Sequence, residues 1–114
     1  MNLWKRLRRR LEAHPVHTVN PLTGYNRWAP QYSEEDNPIV YLESSALYKM
    51  LPDLAGKRVL DVGCGAGRMS KLIAQRGVTY LVGIDFSFYM LCEAQKQLSP
   101  LLDTKLVAAN VMAL

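Results

Sequence analysis

Cysteine is scarce in this 114-residue chain: there are two, Cys64 and Cys92. They lack the spacing of a disulfide framework or a zinc site, so reduced thiols are the simplest reading. Histidine is equally sparse. His14 and His17 stand three apart, but Pro15 lies between them and no third ligand is near, which argues against a metal site. No run approaches the ~18 apolar residues of a membrane span. No charged-then-apolar stretch with a small-residue cleavage site marks a secretory signal. A cytoplasmic location is therefore the default expectation.

Excess charge is also missing from most of the chain. The formal net charge is +4, and residues 1–14 account for all of it, with Lys5, Arg6, Arg8, Arg9 and Arg10 set against Glu12. From residue 15 onward, basic and acidic residues balance. This is a short basic arm on a neutral body, not a nucleic-acid footprint, and no nucleic-acid partner is expected.

What is present reads as one globular domain or part of one, with 49% hydrophobic and 21% charged residues. Residues 1–14 place Leu3, Leu7 and Leu11 four apart among arginines, which predicts a basic amphipathic helix ended by Pro15. Residues 3–11 of such a helix suit a solvated face or contact with an anionic membrane surface. Residues 15–36, rich in Pro, Asn, Tyr and Trp without a clear period, read as a loop or lid. Residues 37–114 then alternate. Asn37-Pro38 looks like a helix cap and first turn, followed by Ile39, Leu42, Ala46, Leu47 and Met50 at helical spacing. Strands are expected at 58–63, 79–85 and 105–110, with helices at 66–77 and after the cap residue Ser87. Strands alternating with helices of this length mean βαβ units in an α/β fold with a parallel sheet.

The stretch "VLDVGCGAGRMS" (59–70) sets glycines at 63, 65 and 67, where the first strand passes into a helix. Gly63 lets the chain turn. Gly65 and Gly67 remove Cβ atoms that would hold a ligand off the backbone, and the helix beyond presents unpaired N–H groups. Asp85 ends the second strand, 18 residues after Gly67, where a carboxylate can accept hydrogen bonds from both hydroxyls of a ribose. Together these form a nucleoside-binding half-site. A dinucleotide site is usually Gly-x-Gly-x-x-Gly, whereas this turn is one residue tighter and has Arg68 in the third-glycine place. Asp61, two residues before Gly63, would repel a pyrophosphate and attract an ammonium. The charges favour S-adenosylmethionine, which is cationic and carries no phosphate. Bland roles stay open for the same residues. Asp61 and Asp85 suit backbone-capping acids, Asn110 a turn cap, and Cys64 a small residue that a glycine turn tolerates.

On these residues the sequence resembles the class I S-adenosylmethionine-dependent methyltransferases. "VLDVGCGAGRMS" resembles their first motif, "LVGIDFS" (81–87) the second and "LVAANVMAL" (106–114) the third, with Asn110 where an acid is usual. "YNRWAPQYSEE" (25–35) resembles the lid of methyltransferases similar to those of ubiquinone and menaquinone biosynthesis. The resemblance implies a Rossmann-like parallel sheet with flanking helices, here stopping after the third of seven strands. It also implies that Asp61 orients the methionine ammonium, that residues 63–67, Cys64 included, line the methionine and ribose, and that Asp85 holds the ribose. Asn110 and Val111 would meet the adenine, with Phe86 and Met90 packed against it, and Trp28 and Tyr32 would belong to the lid. The expected partner is a small-molecule or lipid-like methyl acceptor, and no residue is identified as a catalytic base. The chain is expected to be a fragment of a longer enzyme, able to self-associate through the open edge of its first strand. Two other readings are a nicotinamide-dependent oxidoreductase fragment and a non-catalytic, peripheral-membrane binding module.

Overall fold

The computed structural model describes residues 18–32 and 37–113. The expected helix over 1–14, its membrane contact and both histidines lie outside the described residues.

Two helices lead, α1 (Pro21–Tyr32) and α2 (Pro38–Met50). The strands β1 (Arg58–Val62), β2 (Tyr80–Asp85) and β3 (Thr104–Ala108) alternate with α3 (Arg68–Ala74) and α4 (Phe88–Leu98), and a 3₁₀ turn spans Val111–Ala113. The sheet is parallel in the order β1-β2-β3. Consecutive parallel strands must be joined by crossovers, and α3 and α4 supply them.

The register decides which face each strand residue joins. Val59 pairs with Leu81, Asp61 with Gly83, and Gly83 in turn with Leu106. These residues share one face, on which Leu81 is fully buried and packs with Leu54, Ile73 and Val78. The opposite face carries Leu60, Val62 and Val107, which are 57%, 52% and 42% exposed. Among the described residues β1 pairs on one side only, so its other edge is open.

Local capping follows the sequence closely. Asn37 accepts from the Ile39 N–H at 3.0 Å and caps α2, and Ser87 accepts from the Met90 N–H at 3.2 Å and caps α4. Two expectations need correction. Residues 21–32 are a helix rather than a loop: Asn20 caps it by accepting from the Leu22 N–H at 2.9 Å, and Pro21 occupies the first turn, where its missing N–H costs nothing. The helix expected over 66–77 begins at Arg68, because the glycine turn occupies the positions before it. In α2 the apolar spacing does produce a helix, but none of its residues is buried and Ile39, Leu42 and Met50 are largely exposed. Periodicity predicts a face; a partner is needed to bury it.

Candidate functional site

β1 ends at Val62, and the next five residues reverse the chain into α3 through a loop pinned to β2. The N–H groups of Gly63 and Cys64 both donate to the Ile84 carbonyl, at 2.8 and 3.0 Å, and the Gly67 N–H donates to the Cys64 carbonyl at 2.9 Å. Gly63, Gly65 and Gly67 all have positive φ, at 75°, 53° and 85°. The alternation of glycines is therefore a backbone requirement, since side-chain-bearing residues rarely adopt such angles.

Asp85 closes the turn from the β2 side. One carboxylate oxygen accepts from the Gly65 N–H and the other from the Ser87 N–H, each at 2.9 Å. The residue is only 8% exposed. Its capping role is thus real, yet each ionised oxygen has about two acceptor sites, so both retain capacity toward a ligand. The Asp85 carbonyl also accepts from the Ala109 N–H at 2.9 Å, which brings the end of β3 to the same place.

A cavity of about 360 Å³ opens there, lined by Gly63, Gly65, Asp85, Phe86, Met90, Asn110 and Val111, with Ala109, Tyr25 and Tyr32 completing it. The structure thus brings together seven of the ten residues singled out in the sequence. An ideal Cβ on Gly63 or Gly65 would meet nothing within 4 Å, so the backbone is bare toward open space. Asp85 is the single ionisable carboxylate of the lining, and the lining contains no lysine or arginine. Asn110 has two functions here: its side-chain oxygen accepts from the Met112 N–H at 3.0 Å, capping the 3₁₀ turn, and its amide N–H groups remain available to a ligand. A larger hollow of about 540 Å³, on another side of Tyr32 and bordered by α2 and α3, includes Ala66 but none of the other residues predicted to hold the cofactor.

Three predicted residues lie off the cavity. Asp61 accepts from the buried Ser70 hydroxyl at 2.5 Å and so ties β1 to α3. Gly67 is buried against α4: a Cβ there would come within 3.0 Å of the Ala94 Cβ, so its lack of a side chain serves helix packing rather than ligand approach. Cys64 turns its sulfur onto β2, filling the space above Gly83, where a Cβ would sit 2.9 Å from the Cys64 Sγ. Burial pushes the Cys64 thiol from 9.0 up to about 12, and the carboxylates of Asp61 and Asp85 push the same way. A neutral, covered thiol is no nucleophile.

The consequence for pH has a definite sign. From pH 9.0 to about 12 the unfolded chain gives up the Cys64 proton while the folded chain keeps it. This contribution to stability is therefore complete below pH 9 and is lost as pH rises through that window. Cys64→Ala should flatten that part of the alkaline stability profile, measured by urea melts at about pH 8 and pH 10. A thiol reagent at about pH 8 should label Cys92, which is partly exposed, well before Cys64.

Sequence reasoning missed Tyr25 and Ala109. Tyr25 stands edge-on to Phe86, with ring centroids 5.7 Å apart, and the signal for it was its place in the same aromatic segment as Trp28 and Tyr32. Trp28 does not line the cavity; it packs edge-on against Tyr32 at 4.7 Å.

Comparison with known proteins agrees with this geometry. The family described as "Methyltransferase domain" matches residues 59–114. A ubiquinone biosynthesis O-methyltransferase from Pseudomonas fluorescens (strain SBW25) is 36% identical over 87 residues, which are 76% of this chain and 28% of that protein. An uncharacterized protein of Haemophilus influenzae is 40% identical over 57 residues, covering 50% of this chain and 22% of that one. The chain therefore spans about a quarter of the length of these curated relatives. Among solved structures, an S-adenosylmethionine-dependent methyltransferase from Mesorhizobium loti is 32% identical, with a TM-score of 0.53 over 61% of this chain and 32% of that chain. The N-methyltransferase NodS from Bradyrhizobium japonicum, solved with S-adenosyl-L-homocysteine, superposes with a TM-score of 0.71 over 84% of this chain and 50% of that chain. At 19% identity it speaks for the fold alone.

Proposed function

We propose, since this chain belongs to the class I S-adenosylmethionine-dependent methyltransferases, that residues 37–114 are the cofactor-holding half of an enzyme that methylates a small or lipid-like acceptor. The observation that carries this reading is the cavity at the carboxyl ends of β1 and β2, where bare glycine backbone and a single carboxylate meet without a cation. Ligands of open α/β sheets bind at this place in the fold.

The residues present fit the cofactor. A diphosphate needs positive charge or a cluster of free N–H groups, but the Gly63 and Cys64 N–H groups are spent on Ile84 and that of Gly65 on Asp85. A cationic adenosyl ligand without phosphate meets no such demand, and Asp85 complements its charge. This counts against the nicotinamide reading.

When bound, S-adenosylmethionine supplies a methyl carbon already activated by sulfonium. The chain's own contribution is to bind and orient. Asp85 would accept from the ribose hydroxyls, Gly63 and Gly65 would admit the ligand against the backbone, and Phe86, Met90, Asn110 and Val111 would border the adenine. Tyr25 and Tyr32 narrow the access of water. Most of the catalytic effect of such a site comes from holding the donor in line with the acceptor. A lipid-like acceptor is favoured by the similarity to proteins named for ubiquinone biosynthesis.

Calorimetric titration of the full chain tests the reading. S-adenosylhomocysteine should bind with a stoichiometry of one, and NAD should give no heat of binding. Saturable NAD binding with no response to S-adenosylhomocysteine would reverse the assignment.

A further inference from the structure

α1 is a weak helix. It has 12 residues, with Gly24 and Pro30 inside it, and helices of this length are marginal without tertiary support. Pro30 has no N–H, so the Asn26 carbonyl is denied its regular partner four residues on. The helix must be held from outside. Among the described residues, the contacts that hold it come from the glycine turn with the first residue of α3, and from the start of α4 with the turn before it. Ala29, fully buried, packs with Ala66 and Met90. Tyr25 meets Phe86 at 5.7 Å, and Arg68 lies over the Tyr32 ring at 5.5 Å.

One polar tie joins them. The Ser87 hydroxyl donates to Asn26 Oδ1 at 2.5 Å while accepting from the Met90 N–H at 3.2 Å, and the Ser87 N–H donates to Asp85 Oδ1 at 2.9 Å. Ser87 is completely buried. It therefore links the acid of the cavity, the cap of α4 and the side chain of α1. Among the described residues, Asn26 makes the one side-chain hydrogen bond between α1 and the rest of the fold.

We propose that Asn26 is a positioning residue for the cofactor cavity: by accepting the Ser87 hydroxyl it holds α1, and with it Tyr25 and Tyr32, in the wall that Asp85 shares. The role deepens the cofactor reading and rests on it for the identity of the ligand. A buried hydroxyl that loses its acceptor is costly, so α1 detaches more readily when Asn26 is truncated, and ligand binding then has to reorder it.

The experiment uses the full chain with Asn26→Ala, Asn26→Asp and the exposed control Gln31→Ala. Trypsin cleavage after Arg27, in the middle of α1, reports detachment, and titration with S-adenosylhomocysteine reports the cavity. Asn26→Ala should raise the cleavage rate about tenfold and weaken binding about tenfold, the loss of one buried hydrogen bond. Asn26→Asp keeps the acceptor and should stay within about twofold of the parent in both assays, as should Gln31→Ala. S-adenosylhomocysteine should slow cleavage of the parent chain and of Asn26→Asp. Faster cleavage with unchanged affinity would reduce Asn26 to a structural residue and overturn the proposal, as would an Asn26→Asp chain that behaves like Asn26→Ala. Should the parent bind no S-adenosylhomocysteine at all, the cofactor reading falls; the tie between Asn26 and Ser87 is then judged on cleavage alone, and an unchanged rate in Asn26→Ala overturns it too.

Discussion

Asp85→Ala should abolish binding of S-adenosylhomocysteine and lower the melting temperature at once. Among the described residues, the carboxylate is the acceptor for two backbone donors, the Gly65 and Ser87 N–H groups. Leaving a buried donor unpaired costs about 1–3 kcal/mol, so the turn and the start of α4 both lose their anchor. The ribose contacts proposed for Asp85 would go with them. Two hydrogen bonds to a charged acceptor, each of about 1.5–3 kcal/mol, correspond to an affinity loss on the order of a hundredfold or more. Asp85→Asn is not conservative here, because its NH₂ must face one of two donors, and it should fall between Asp85→Ala and the parent. Calorimetry and thermal melts on the three chains check this. Parent-like affinity in Asp85→Ala would remove Asp85 from the site.

The second large effect separates two glycines that look alike in the sequence. Gly67→Ala should fail to fold or lose about 2–5 kcal/mol: the residue sits at φ 85°, and the new Cβ would press to 3.0 and 3.1 Å of the Ala94 Cβ and Cα. For a domain held by about 5–15 kcal/mol that is a large share. Gly65→Ala meets no atom within 4 Å, so at φ 53° it carries only backbone strain, about 1–2 kcal/mol, and no clash. It should fold and lose ligand affinity instead, because its Cβ projects into the space the ligand needs. Adding Ala94→Gly to Gly67→Ala should return part of the lost stability by relieving the contact but not the backbone strain. Urea titrations give the stability order and calorimetry the affinity order. If Gly65→Ala is the less stable of the two, the division of labour between these glycines is wrong.

Much of the site was legible because it is encoded locally. Alternate glycines at 63, 65 and 67 announce a backbone with positive φ, which the structure has at each of them. Asp85 at the end of a β-rich run, and Asn37 and Ser87 ahead of helical spacing, are signals within a few residues of their effect. α1 was not legible, since Gly24, Pro30 and the aromatic residues blur any period, and its helix is sustained by contacts with residues 66–90. The helix over 38–50 was legible from its regular apolar spacing, but that spacing does not tell which surface receives it, and none of its residues is buried.

The sequence by itself determined the alternation of strands and helices from residue 37 onward, the tight glycine turn and the strand-end acid. These depend on backbone angles and charges that each residue carries wherever it is placed. Only the tertiary structure decided that Gly67 packs on Ala94, that Cys64 fills the space over Gly83, and that Asn26 reaches Ser87. Those assignments depend on which surfaces meet when distant segments stack, and no local pattern in the chain records the distance between them.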